Sequence, residues 1–300
     1  MKSNHYSVLL NESIQALEIK PDGVYVDLTL GMGGHSSLIL QKLTTGRLIG
    51  FDKDAFAIQK SRERLSKINH NFSLIHSDFQ YISEELAKLG IDYVDGIIAD
   101  LGVSSPQIDN GQRGFSYNKN AYLDMRMDQN QNLDAHYIIN NYDQQHLERI
   151  LNDNADVKLA KRVAKAIIEH RPINTTLEFA NVIRNALPAI IVKQKNPCKA
   201  IFQAIRIEVN NELESLRTML QKSIQLLKPN SHLAIISFHS IEDGIVKKFF
   251  GNLIKSKLPV KMPVVEQKQY EVKTYQPSRI ELEQNNRSRS AKLRVLTKLN

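Results

Sequence analysis

Short apolar runs at residues 24–30, 47–51, 72–76, 94–99 and 232–238 each close on a polar or glycine-containing turn. Runs of this kind, rich in Val, Ile and Leu and without strict alternation, predict parallel strands buried on both faces. Helical periodicity separates the first four, over Ser36–Lys42, Ala55–Ile68 and Ser83–Leu89. The alternation predicts a doubly wound α/β sheet.

The fifth strand arrives late, because more than 120 residues separate Ala99 from His232. Structureless loops of that length are rare in compact domains, so the interval must carry structure of its own. Val157, Ala160, Val163, Ala164, Ile167 and Ile168 form one helical stripe, and Ile201, Ala204, Ile205, Val209, Leu213, Leu216 and Leu220 a longer one. This places a helical insertion at 108–205 within a sheet domain built from 1–107 and 206–300, with Ala200–Leu227 partly returning as a crossover helix.

The strand ends carry the candidate chemistry. Val24–Leu30 runs into Gly31-Met32-Gly33-Gly34-His35-Ser36, a turn at which missing β-carbons let backbone approach a ligand. Its spacing is not G-x-G-x-x-G, since Ser36 stands where the third dinucleotide glycine would be, which counts against a nicotinamide cofactor. A plain strand-to-helix turn without ligand has the same appearance. The second strand ends in Asp52, about twenty residues on, where an acid can accept both hydroxyls of a ribose. Asp78-Phe79 ends the third strand, suited to an adenine ring or equally to core packing. Asp100-Leu101-Gly102-Val103-Ser104-Ser105-Pro106-Gln107 follows the fourth, at the sheet edge where open α/β folds bind ligands.

These strings, with Asp95-Gly96, Arg113-Gly114-Phe115-Ser116, Leu123-Asp124-Met125-Arg126-Met127-Asp128, Phe202-Gln203-Ala204-Ile205-Arg206-Ile207, Ile236-Ser237-Phe238-His239-Ser240 and Arg287–Arg294, closely resemble the bacterial small-subunit ribosomal RNA cytidine N4-methyltransferases. The opening, Asn4–Glu12, is similar too. The resemblance spans nearly the whole chain. It implies a Rossmann-like class I fold dependent on S-adenosylmethionine (SAM), with Gly33, Gly34, His35, Asp52, Phe79, Asp100 and Gln107 as SAM-binding positions. It implies methylation of the N4 amine of a cytidine in the decoding region of 16S rRNA. The chain departs from the family's usual residues at Met32, at Gly244 and at Asn196-Pro197-Cys198-Lys199.

Such chemistry needs acceptors aimed at the amine, whose lone pair is delocalised into the ring. Asp100, with Ser104, Ser105 and Pro106, is the candidate catalytic set; Asp100 has the alternative role of contacting only the cofactor. Pro197-Cys198 resembles the nucleophile of some C5-methyltransferases but lies far in sequence from the fourth-strand loop, so a small buried residue is the reading taken. His35 and His239 lack partners at metal-ligand spacing, and no metal is expected.

Composition narrows the setting. The chain has 300 residues, 42% of them apolar, enough for a full core, and one cysteine, which excludes an intrachain disulfide and suits a reducing compartment. Neither a signal peptide nor an apolar run approaching ~20 residues is present, so the cytoplasm is expected and a membrane is not. The net charge is +8. Residues 268–300 hold eight Lys and Arg against three Glu, so this tail carries five of those positive charges. Lys158, Lys161, Arg162 and Lys165 form a stripe on a helix at 157–169. With Arg113, Arg126 and Arg206 placed in loops near the sheet's carboxyl edge, these predict a face for 16S rRNA in the small ribosomal subunit. Phe115, Tyr117 or Tyr122 could hold a flipped base. A homodimer is left open. The rival readings are a nicotinamide oxidoreductase and a catalytically idle RNA-binding assembly factor that keeps the fold.

Overall fold

Aliphatic runs without alternation need cover on both faces, and that demand organises the computed structural model, which describes residues 7–194, 196–255 and 267–299. In chain order the elements open with α1 (Leu10–Ala16), β1 (Val24–Asp27), α2 (Gly34–Lys42), β2 (Arg47–Asp52), α3 (Ala55–Leu65), β3 (Phe72–His76), α4 (Ile82–Lys88) and β4 (Val94–Asp100). Seven helices follow: α5 (Ser105–Asp109), α6 (Ala135–Asn141), α7 (Gln144–Ala155), α8 (Ala160–Glu169), α9 (Thr176–Ala186), α10 (Ala189–Gln194) and α11 (Cys198–Asn210). The chain closes with α12 (Glu212–Leu226), β5 (Leu227–Ser237), α13 (Ser240–Ile254), β6 (Tyr270–Tyr275), α14 (Arg279–Gln284) and β7 (Lys292–Lys298).

Two compact units result. The first comprises Met1–Gly102 and Ser215–Asn300; the second is Val103–Glu214. The sequence pattern predicts divisions at 107/108 and 205/206. They fall elsewhere because α11 is committed to the helical core, where Ile201, Phe202, Ala204, Ile205 and Val209 pack with α7 and α9. The expected single crossover helix over 200–227 is therefore two helices, broken at Asn211, which is left-handed at φ 51°. Only from Leu216 onward does the stripe join the sheet core.

The sheet of the first unit has order β3-β2-β1-β4-β5-β7-β6. Strands β1 to β5 are parallel, and β7 runs antiparallel between β5 and β6. The pleat sorts side chains into two cores: Val26, Ile49, Phe51, Ile97, Ala99, Leu233 and Ile235 on one face, Tyr25, Leu48, Ile98, Ala234 and Ile236 on the other. Since β1 pairs with both β2 and β4, strand order reverses there, and the crevice beyond the carboxyl ends of β1 and β4 is where such sheets take ligands.

The tail from 268 is not a solvated basic arm. It supplies β6 and β7, strands that escaped notice because Lys, Arg, Thr and Glu alternate through them as they do at a half-exposed sheet edge. Arg294 donates to Asp243 of α13 from Nε at 2.7 Å and from its second nitrogen at 3.1 Å, Lys292 lies 3.2 Å from the same carboxylate, and Lys298 donates to the Leu227 carbonyl. Against its burial, Arg294 and Lys292 pull the Asp243 pKa below the ordinary range. Three of the eight tail cations are thus spent on joining β7 to its neighbours. Asp243→Ala strands the buried Arg294 guanidinium without its counter-ion, and urea denaturation should show a loss of about 3 kcal/mol; a loss below ~1 kcal/mol would mean the pair is replaceable.

Candidate active site

Gly31 and Gly33 take φ of 49° and 72°, left-handed values that an L side chain rarely adopts, and these bend the chain from β1 directly into α2. The turn is held from outside: the Gly31 carbonyl accepts from Ser61 Oγ at 2.9 Å, and the Gly31 N–H donates to Asp52 Oδ2 at 2.8 Å. Asp52 Oδ1 accepts the Asp54 N–H at 2.9 Å. Each carboxylate oxygen thus keeps one lone pair uncommitted by these bonds, as two adjacent ribose hydroxyls would require. Burial pushes the Asp52 pKa up to about 6 against these two bonds.

A second acid sits beneath the turn, and the sequence reading did not single it out. Asp27, the last residue of β1, accepts from Ser36 Oγ at 2.7 Å and from the Thr29 N–H at 3.2 Å. It is 2% exposed, and burial raises its pKa to about 6 as well. The signal was available, since an acid ending an otherwise aliphatic strand is costly unless used.

Asp100 ends β4. Its N–H donates to Thr29 Oγ1 at 2.5 Å, which fixes the backbone of the two neighbouring strand ends against each other. Its side chain is poorly served: Oδ2 lies 3.9 Å from His35 Nδ1, and Oδ1 is buried without a partner among the described residues. Burial first, then the charges of Asp27, Glu242 and Glu281, drive its pKa well above the carboxylate range. His35 is buried, its Nε2 also lacks a partner among the described residues, and burial holds its pKa down at about 4, so the imidazole is neutral. Two buried polar atoms without partners among the described residues, beside a glycine turn, fit a polar ligand at this place.

The other expected positions fare differently. Phe79 packs half-buried against the sheet core, and Asp78 is engaged by Lys53 at 2.8 Å and Ser215 Oγ at 3.0 Å. Ser104, Ser105, Pro106 and Gln107 belong to the second unit, where Gln107 Oε1 accepts the Ser104 N–H at 2.9 Å and closes the start of α5. Asn4, His5 and Tyr6 of the opening motif lie outside the described residues.

In the second unit the predicted basic face shrinks. Arg113 is buried and donates to the Arg126 and Met127 carbonyls, Arg126 pairs with Asp124 at 2.6 Å, and Arg206 lies on α11 rather than in a loop, paired with Glu212 at 2.8 Å. All three hold the unit together. The α8 stripe is exposed as expected, although the helix begins at Ala160, with Leu159 left-handed before it, so Lys158 stands outside it. Phe115 and Tyr117 pack on the helical core, while Tyr122 is exposed, stacked on His136 and bonded to Asp134. Cys198 is fully buried in that core, its thiol facing the Ala180 carbonyl. Among the described residues no group of three or more His, Cys, Asp or Glu could hold a metal, and no helix is long and apolar enough to cross a membrane.

The profile of the MraW methylase family matches residues 2–299. The chain is 64% identical over 299 residues to the ribosomal RNA small subunit methyltransferase H of Mycoplasmopsis agalactiae, covering 100% of both chains. It is 56% identical over 299 residues to the protein so named in Mycoplasmopsis synoviae, covering 100% of this chain and 99% of that one. Among solved structures, an rRNA methylase candidate from Clostridium thermocellum superposes with a TM-score of 0.50 at 13% identity, covering 98% of this chain and 100% of that one, a likeness of fold alone.

The raised pKa of Asp52 has a measurable sign. A carboxyl whose folded pKa of about 6 exceeds its unfolded value of 3.8 contributes stability that is complete below 3.8 and is lost as pH rises through about 6. Asp52→Asn removes that loss. Without ligand, the variant should therefore gain on the native protein by on the order of 2 kcal/mol between about pH 4.5 and about pH 7.5, as read by thermal melts at both pH values; a pH-independent difference would show that Asp52 titrates normally.

Proposed function

The chain belongs to the MraW methylase family of SAM-dependent methyltransferases, and on that premise we propose that it methylates the exocyclic N4 amine of a cytidine in the decoding region of 16S rRNA. Family membership removes the nicotinamide oxidoreductase from consideration. The observation that carries the finer reading is Asp100: a partly buried carboxyl at the strand reversal whose enclosed Oδ1 is free of any partner among the described residues.

SAM supplies an electrophilic methyl group on a cationic sulfonium. The chain's own task is to present the amine. An N4 amine has two N–H bonds, and an acceptor fixed against one of them turns the lone pair out of conjugation with the ring. Asp100 Oδ1 is suited to accept that bond, with the Asp100 N–H tied to Thr29 so that the backbone carrying the carboxyl is fixed. A bound cationic sulfonium would favour the carboxylate form that burial and the neighbouring acids disfavour. A methylated N4 amine would have one proton to give up, for which the Asp100 carboxylate is the acceptor. Ser104, Ser105 and Pro106 are assigned to the same task. Gly33, Gly34, His35, Asp52, Phe79 and Gln107 are the cofactor positions of this proposal; Asp52 takes the ribose hydroxyls and Phe79 adjoins the base.

The RNA reading rests on the similarity to small-subunit rRNA methyltransferases and on Lys161, Arg162 and Lys165, which project from α8 opposite a face buried through Val163, Ala164 and Ile167. A cytoplasmic location goes with that substrate.

Asp100→Asn replaces an acceptor oxygen by a donor NH2. Single-turnover methylation of small subunits lacking the modification, at saturating SAM, should fall by roughly 100-fold while SAM affinity changes much less. A rate within a few-fold of native, with weakened SAM binding, would make Asp100 a cofactor ligand only. Mapping of the modified nucleoside in the same assay tests the N4 assignment, and Cys198→Ala should stay active; an inactive but folded, SAM-binding Cys198→Ala would point to C5 chemistry instead. Lys161→Glu with Lys165→Glu should weaken binding to the small subunit and lower the salt dependence of log K by about one per lost phosphate contact.

A further inference from the structure

The start of the described chain is bound into the site from the far end of the sequence. The Leu9 N–H donates to Glu281 Oε1 at 2.9 Å, a bond between residues 272 apart. Leu9 is fully buried and left-handed, at φ 51° and ψ 34°, a conformation that a leucine adopts only where its surroundings hold it there. Its carbonyl accepts both the N–H of Ser13, at 2.9 Å, and the Ser13 hydroxyl, at 2.7 Å, so the residue is bound on both sides.

What this bend presses on is the cofactor turn. Ser7 lies so close to Gly34 that a β-carbon there would collide with the Ser7 hydroxyl. The Val8 backbone hydrogen-bonds the His35 ring. His35 in turn is the neighbour of Asp100. Contacts therefore run without a break from Glu281 through Leu9 and Val8 to His35 and the acid at the end of β4.

Glu281 is poorly placed for stability alone. It is partly buried and faces Glu12, and both burial and that like charge raise its pKa. A neutral acceptor would serve a merely structural bond at less cost. Glu281 itself is positioned by α14, where Ser278 caps the helix through the Glu281 N–H and the buried Ser288 lies below its carbonyl.

We propose that Glu281 is a positioning residue for SAM binding: through the Leu9 N–H it holds Ser7–Leu9 against Gly34 and His35 and so fixes the turn that contacts the cofactor. The inference rests on the cofactor role of that turn and not on which base is methylated. A strap of this kind acts on the ground-state affinity for SAM more than on the chemical step, because its bonds lead to the turn and the Glu281 charge is the smallest of the influences on Asp100.

Two variants and one exchange measurement test it in the full-length protein. Glu281→Ala should raise the SAM dissociation constant about tenfold by calorimetry, the size of losing one charge-assisted hydrogen bond, with turnover at saturating SAM within about twofold of native. Glu281→Gln keeps an oxygen for the Leu9 N–H and should restore the dissociation constant to within about twofold. A folded Glu281→Ala with native SAM affinity overturns the proposal, as does a Glu281→Gln as weak as the alanine variant. Hydrogen exchange on the native protein gives a readout that survives a variant that fails to fold: the Leu9 amide should exchange more slowly with SAM bound, and an unchanged rate overturns the proposal. If the native protein bound no SAM, the cofactor reading itself would fail, which calorimetry on the native protein distinguishes from failure at Glu281.

Discussion

Three carboxylates end the adjacent strands β2, β1 and β4, and the first unit is organised around keeping them there with little water. An ionised carboxylate out of water is expensive unless hydrogen bonds replace the lost hydration. Asp52 and Asp27 receive such bonds from the Gly31 and Asp54 amides and from Ser36 and Thr29. The bonds bring their pKa values back only to about 6. The glycine turn is thus shaped in part by one of these acids, since the Gly31 amide that Asp52 accepts is part of the bend.

Asp100 is the exception that gives the arrangement chemical direction. Its backbone is fixed, one of its oxygens has no partner among the described residues, and the imidazole beside it is kept neutral by burial. An acceptor carried on a fixed backbone and left without a partner suits a preorganised site, because no existing bond has to break when a donor arrives. The same incompleteness costs stability in the free protein, a cost common at functional sites.

The antiparallel pair β7 and β6 explains how the basic C-terminal segment can be structural. Inserting β7 beside β5 lets Arg294 and Lys292 reach Asp243 on α13, so cations that look like a nucleic-acid tail close the sheet instead. The same segment carries Glu281 to the N-terminal bend, joining the two ends of the chain. In the second unit, Arg113, Arg126 and Arg206 are consumed in the same manner, which leaves the α8 face as the exposed basic surface that the sequence reading anticipated.

The parallel strands and the glycine turn were legible in the amino-acid sequence because they are local: burial on both faces demands continuous aliphatic runs, and a left-handed bend demands glycine at Gly31 and Gly33. Asp52 and Asp100 were legible for the same reason, as acids ending such runs. The helical character of the long insertion could be read from its apolar stripes, but not that the stripe over 201–220 breaks at Asn211 and serves two different cores. The fates of the arginines could not be read either. Arg294 and a solvated arginine are the same letter, and only the tertiary structure brings Asp243 to one of them from 51 residues away. Likewise Glu281, 272 residues from its partner, acquires its meaning from packing, since desolvation and hydrogen bonding depend on what the fold places beside a residue and not on its neighbours in the chain.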